Sequence, residues 1–183
     1  MRTVGRTALV LVSLLSGVSL ASCAASDQTS SGGQTTGSTQ SGSTASGTPC
    51  KAADFKVTGA FGEKPTITIP DCRPTNELIT SDLTPGTGAE VKPGSTATVN
   101  YQLVTFSDKV EKDSSFDRGQ PFELKNVGQA RVIDGWNEGL IGLKEGGRRL
   151  LVVPPDKGYG QGGNGIKPNE TLVFVIDAVK VTG

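Results

Sequence analysis

The chain has no histidine and three cysteines, Cys23, Cys50 and Cys72. Without imidazole there is no proton shuttle near neutral pH, no Ser-His-Asp arrangement and no histidine metal ligand. Chemistry therefore falls first to the thiols. Cys23 is the only side chain in its neighbourhood able to take a thioether-linked lipid, and the small residues Ala21 and Ser22 before it leave the backbone open to a peptidase. Cys50 and Cys72 bracket a short segment, and in an exported chain such a pair persists as a disulfide. The bridge would close a loop of about 22 residues and contribute roughly 3 kcal/mol by restricting the unfolded chain. Two free buried thiols are the alternative.

The elements around Cys23 are those of export. Residues 1–22 carry Arg2 and Arg6, then apolar residues from Ala8 to Val12 and on through Leu14, Leu15, Val18 and Leu20, interrupted by Ser13, Ser16 and Gly17. That layout is a secretory signal, too short for the ~20 apolar residues of a spanning helix. Leu20-Ala21-Ser22-Cys23 resembles the lipobox of bacterial lipoproteins, and two acyl chains on Cys23 would anchor stably where one would be marginal. The expected location is the extracytoplasmic face of the cell membrane, held by lipid. Residues 23–49 form the lipidated cysteine and a Ser/Gly/Thr linker that buries too little to order itself, with a reach of about 25 to 30 Å. Lysine plus arginine and aspartate plus glutamate number 18 each, so no net field draws nucleic acid. Loss of residues 1–22 takes two arginines and no acids, leaving a net charge of −2.

The rest reads as one domain with a preface. Over 50–82, Phe55-Lys56-Val57 and Thr66-Ile67-Thr68-Ile69 alternate like strands around the turn Gly62-Glu63-Lys64-Pro65, a β-hairpin whose ends carry the two cysteines. Over 83–183 the pattern is mainly β. Thr96 to Val104 sets Ala97, Val99, Tyr101 and Leu103 on one face, and Arg148–Val153 and Leu172–Val181 are rich in β-branched residues. One stretch, Ile133 to Ile141, has helical spacing, with Ile133, Trp136, Leu140 and Ile141 on one face and with Gly135 and Gly139 interrupting it. The expected class is α+β, a twisted antiparallel sheet around one short helix with an N-terminal hairpin extension.

Five segments in order then resemble FKBP-type peptidyl-prolyl cis/trans isomerases. They are Val99-Asn100-Tyr101, Asp113 through Phe122, Val132 through Leu140, Val153 through Gly160, and Pro168 through Phe174. The similarity covers about a hundred residues, from near Leu83 to the end. It implies a ligand groove between helix and sheet. Trp136 would be its floor, with Tyr101, Phe122, Val132, Ile133, Ile166 and Phe174 as walls. Tyr159 would offer a phenolic hydrogen bond, Asp113 would be the pocket carboxylate, and Arg118 its partner at the substrate. The reaction so implied needs neither cofactor nor metal, since no covalent bond changes.

The implied function is isomerisation of X-Pro bonds in unfolded or exported polypeptides within the cell envelope, by a monomer that could also take macrolide ligands. The alternative is a non-catalytic FKBP-like binding or chaperone module tethered to the membrane. Two departures bear on that choice. Lys112 stands where the family usually has an aromatic, so that wall is expected to be absent or supplied by Phe116. The segment from Gly160 to Pro168 is short and glycine-rich, which predicts a less preorganised site.

Overall fold

The computed structural model describes residues 47–183. The signal expected over 1–22, the lipid site at Cys23 and the linker up to residue 46 lie outside the described residues. In chain order the elements are β1 (Lys56–Thr58), β2 (Thr66–Thr68), β3 (Ile79–Thr84), β4 (Thr96–Thr105), β5 (Glu111–Ser114), α1 (Ser115–Arg118), β6 (Phe122–Leu124), α2 (Asp134–Gly139), β7 (Arg148–Val153) and β8 (Leu172–Thr182).

β1 and β2 make the expected hairpin, with Val57 opposite Ile67. The other six strands form one antiparallel sheet in the order β3-β7-β8-β4-β5, and β6 pairs with β4 beside β5. Its spine is β4 against β8, paired from Thr96 opposite Thr182 to Thr105 opposite Leu172 with one register shift between Thr98 and Val99. The alternation read from β4 is correct, since Ala97, Val99, Tyr101 and Leu103 are all buried in one core with Trp136 and Leu140 of α2.

The opposite face of the sheet is also covered, by the N-terminal extension. Phe55 and Ile69 pack there with Leu150, Val152, Val173 and Val175, and Cys50 is bonded to Cys72. β7 and most of β8 are thus buried on both faces, which is why Leu150–Val153 and Leu172–Ile176 read as continuous apolar runs rather than alternating ones. The backbone brings the cysteines together, because the Cys50 amide donates to the Arg73 carbonyl at 2.9 Å and the Arg73 amide to Thr48 at 3.0 Å.

Two features depart from the reading of the sequence. A second helix exists, the single turn α1, which ends where Gly119 takes a left-handed conformation with φ of 64°. β3 runs across the expected junction between residues 82 and 83 and pairs with β7, so that junction falls inside a strand of the main sheet, separate from the β1–β2 hairpin.

Two successive arginines hold the layers, pointing to opposite faces of β7 as strand geometry requires. Arg149 pairs with Asp82 of β3 at 2.6 and 3.1 Å and donates to the carbonyls of Gly139 and Ile141, both at 2.8 Å. It thereby satisfies acceptors left open at the end of α2. Arg148, 1% exposed, faces the other way. It pairs with Asp177 directly across on β8 at 2.5 and 2.8 Å, and donates to the Gly59 and Glu63 carbonyls at 2.6 and 2.7 Å. Asp177 in turn accepts the Gly62 amide at 2.7 Å. The bonds to Gly59, Gly62 and Glu63 lock the hairpin turn onto the sheet.

Removing one member of such a pair strands a buried charge. Arg148→Ala is expected to lower unfolding free energy by about 3 to 5 kcal/mol, read by urea denaturation. A loss below about 1 kcal/mol, the value of an exposed pair, would contradict this.

Candidate active site

Gly135 and Gly139 cost a helix roughly 0.5 to 1 kcal/mol each relative to alanine, yet both occupy the short α2. Their spacing puts them on one face, and that face lies on β7. A Cβ at Gly135 would sit 2.4 Å from Val153 Cγ1, and one at Gly139 would sit 2.5 Å from Leu151 Cδ2. Both neighbours are fully buried and have nowhere to move. The glycines are the helix's contact surface rather than interruptions of it.

This approach seats Trp136, the only tryptophan, against the sheet at 5% exposure. Three rings meet it edge-on: Tyr101 of β4 at 5.1 Å, Phe174 of β8 at 5.5 Å and Phe122 of β6 at 5.9 Å, with interplanar angles from 77° to 85°. Edge-to-face pairs of this kind are worth about 0.5 to 1.5 kcal/mol each beyond burial. Together they leave a cleft of about 200 Å³ that is open to solvent on one side. Leu103 and Asp113 complete its sheet side, and Arg131, Val132, Ile133 and Tyr159 form the opposite lip.

That lip is held by Asn137 of α2. Its side-chain oxygen accepts the amides of Gly128 and Ala130, and its side-chain nitrogen donates to the Ala130 carbonyl, all at 3.0 Å. The segment before Val132 is therefore fastened to the same helix that carries the indole.

The polar groups divide into an occupied set and groups left without a partner among the described residues, namely the Tyr159 hydroxyl, the Arg131 guanidinium and the buried indole nitrogen of Trp136. The Tyr101 hydroxyl donates to Asp113 and accepts from Arg118 at 2.8 Å, while Arg118 also pairs with Asp113 and lies 5.3 Å from the centre of the Tyr101 ring. Burial, and then the bond to Asp113, pushes the Tyr101 phenol above its ordinary value of 10.0, so it stays neutral at physiological pH. The bond to the Tyr101 oxygen holds the Arg118 guanidinium more firmly charged. Tyr101 thus shows the cleft its ring, its hydroxyl being fully engaged. The Tyr159 hydroxyl makes no side-chain hydrogen bond among the described residues.

All eight residues expected to act at the groove from the sheet, helix and lip line this cleft, namely Tyr101, Asp113, Phe122 and Trp136 with Val132, Ile133, Tyr159 and Phe174. Two others do not. Arg118 stands behind Asp113 rather than in the lining, and Ile166 is buried in the core on the helix side of the sheet. Leu103, Arg131 and Asn137 were not anticipated. Leu103 was recoverable, being two residues along β4 from Tyr101 and so on its face.

Both departures noted in the sequence have structural answers. Lys112 reaches away to Asp108 at 3.3 Å, and Phe116 is not in the lining, so that wall stays open. The glycine-rich loop is more ordered than its composition predicts. Gly163 and Ile166 exchange backbone hydrogen bonds at 3.0 and 2.9 Å, Gly162 donates to Tyr159 at 2.7 Å and Asn169 to Gly160 at 2.8 Å. Gly162, with φ of 90°, lies where a Cβ would be 2.8 Å from the Ile166 carbonyl oxygen. Lys167 ties the loop to Asp108 at 3.1 Å.

Comparison with known proteins agrees with this geometry. Residues 88–179 match the family model for FKBP-type peptidyl-prolyl cis-trans isomerase. An FK506-binding protein of Streptomyces anulatus is 41% identical over 122 residues, which is 65% of this chain and 98% of that protein. A probable FK506-binding protein of Corynebacterium glutamicum is 43% identical over 118 residues, 64% of this chain and 98% of the other. The crystal structure of FkpA from Escherichia coli superposes with a TM-score of 0.53 at 39% identity, over 57% of this chain and 48% of that one.

The close approach of α2 makes a prediction whose sign is decisive. Were Gly139 merely a helix glycine, Gly139→Ala would stabilise the protein by about 0.5 to 1 kcal/mol. Overpacking against Leu151 should instead destabilise it by about 1 to 3 kcal/mol and shift the emission of the sole tryptophan. Denaturant unfolding followed by that fluorescence reads both effects.

Proposed function

Since the chain belongs to the FKBP-type peptidyl-prolyl cis-trans isomerases and is an enzyme of that class, we propose that its aromatic cleft turns X-Pro bonds by binding the half-rotated amide in a dry setting. Rotation about the bond breaks amide resonance across a barrier of roughly 18 to 20 kcal/mol, while the end states differ by only about 0.5 to 1 kcal/mol. Only a site that holds the twisted form better than either planar form lowers that barrier.

The planar amide is the charge-separated one, and water stabilises it through the carbonyl. A cleft of ring edges takes that water away and so removes an advantage of the planar form. In this reading the prolyl ring rests on Trp136 between Tyr101, Phe122 and Phe174, with Val132 and Ile133 as the lip. Tyr159 donates to a substrate carbonyl, and its free hydroxyl supports that role. Asp113, held by Tyr101 and Arg118, gives the rim a fixed, neutralised carboxylate. No proton changes owner, which suits a chain without histidine.

The observation that carries the reading is the indole of Trp136 standing at the floor of an open cleft with three rings edge-on around it. Trp136→Leu keeps an apolar side chain and deletes the floor. With folding checked by far-ultraviolet circular dichroism, kcat/KM on a proline-containing peptide should drop at least about tenfold, equivalent to ~1.4 kcal/mol. A folded variant with the wild-type rate would remove the proposal.

The substrates in this reading are unfolded, exported polypeptides, and the enzyme assists their folding as a monomer at the outer side of the cell membrane. The relatives are named for binding FK506, and a macrolide is the expected competitor at the same cleft. Support for the location comes from the signal-like residues 1–22, from Cys23, and from the Cys50–Cys72 disulfide, a bond that persists in oxidising compartments. Cys23→Ala should move the protein from the membrane fraction to the soluble fraction with its peptide activity unchanged. Retention in the membrane fraction would rule out the lipid anchor.

A further inference from the structure

The aromatic cleft is not closed at its lip. It continues into a shallower hollow of about 410 Å³ that shares Arg131, Val132, Ile133 and Tyr159 with it and adds Asp134 and Asn164. The cleft, at about 200 Å³, takes little more than a prolyl ring. Successive Cα atoms of a substrate are about 3.8 Å apart, so residues flanking the proline are within reach of this rim and hollow. What the rim offers them is charge.

Some charged groups at or behind the rim are already spent. Asp113 is paired with Arg118, and Glu138 with Lys157 at 2.7 Å. Arg131 is different. Among the described residues it makes no ion pair and no side-chain hydrogen bond, it is exposed, and it lines both the cleft and the outer hollow. Asp134 is also unpaired among the described residues, but it lines the outer hollow alone. A side chain adjacent to the bound proline can therefore meet a guanidinium that no carboxylate among the described residues pairs with, and the backbone of Arg131 is steadied through the Ala130 contacts of Asn137. A guanidinium fork matches a carboxylate with two parallel hydrogen bonds.

We propose that Arg131 is a specificity residue that favours substrates with an acidic residue flanking the proline. The inference rests on the cleft being the isomerase site. Asp134, which lines the outer hollow but not the cleft, opposes Arg131, so removing that carboxylate should strengthen the preference.

The test uses matched peptides with Glu, Gln or Lys on either side of one proline, their catalysed isomerisation measured with the full chain. At low salt, kcat/KM for Glu over Gln should be raised about two- to fivefold at one or both flanking positions, the range of an exposed charge pair, and Lys should fall below Gln. The ratio should shrink toward one in about 0.5 M salt. It should drop to one in Arg131→Gln, invert in Arg131→Glu and rise in Asp134→Asn. A Glu-to-Gln ratio of one at both positions in the wild type, or a ratio untouched by Arg131→Gln, would overturn the inference while leaving the isomerase reading intact. Absence of catalysis on the Gln peptides would overturn the reading of the cleft itself, and the inference with it.

Discussion

Helix α2 lies on β7 at a separation no side chain could occupy, and the site depends on that contact. Gly135 and Gly139 face Val153 and Leu151, and a methyl group at either would collide with a buried branched side chain. Because the helix is pressed this close, the indole of Trp136 reaches the rings that β4, β6 and β8 present. A helix raised by the thickness of a methyl group would lose part of each edge-on contact at once. Arg149 fixes the same joint from its other end, holding carbonyls at the close of α2 while paired to β3. Asn137 carries the constraint outward to the lip.

The polar residues around the cleft follow from the need to keep its floor apolar. A phenol and a carboxylate at the edge of a dry pocket would attract water unless satisfied. Arg118 supplies the missing partner for both, so Tyr101 contributes a ring and Asp113 a balanced charge. The second phenol, Tyr159, is left to interact with whatever enters. The back of the sheet solves a different problem. There the extension, closed by its disulfide and by Arg148, covers strands that would otherwise show an apolar face to solvent.

Where one physical rule decides a feature, the sequence reveals it. The period of two in β4 shows which residues share a face, and the paired cysteines around a hairpin pattern give both the hairpin and the bridge. The resemblance of five ordered segments points to the cleft and to the eight side chains that line it. What stays hidden depends on distance between elements far apart in the chain. Gly135 and Gly139 look like defects because propensity counts only their entropy, while their use lies in Val153 and Leu151. Lys112 looks like an intruder in the groove until Asp108 is seen to draw it away. The glycine-rich loop reads as slack, yet its backbone hydrogen bonds close it, with Ile166 turned into the core. Arg148 reads as the edge of a strand, and only the fold shows it bonded to a turn about ninety residues earlier.

The central claim is that a substrate's prolyl ring rests on the indole of Trp136, out of water. It is tested most directly by nuclear magnetic resonance on the enzyme with a proline-containing peptide bound in excess. Contacts are expected from the prolyl ring protons to the indole of Trp136 and to the rings of Tyr101 and Phe174, with those prolyl signals moved upfield by the ring currents. Bound peptide whose proline shows no contact with that indole, and whose ring signals stay at their free positions, would contradict it.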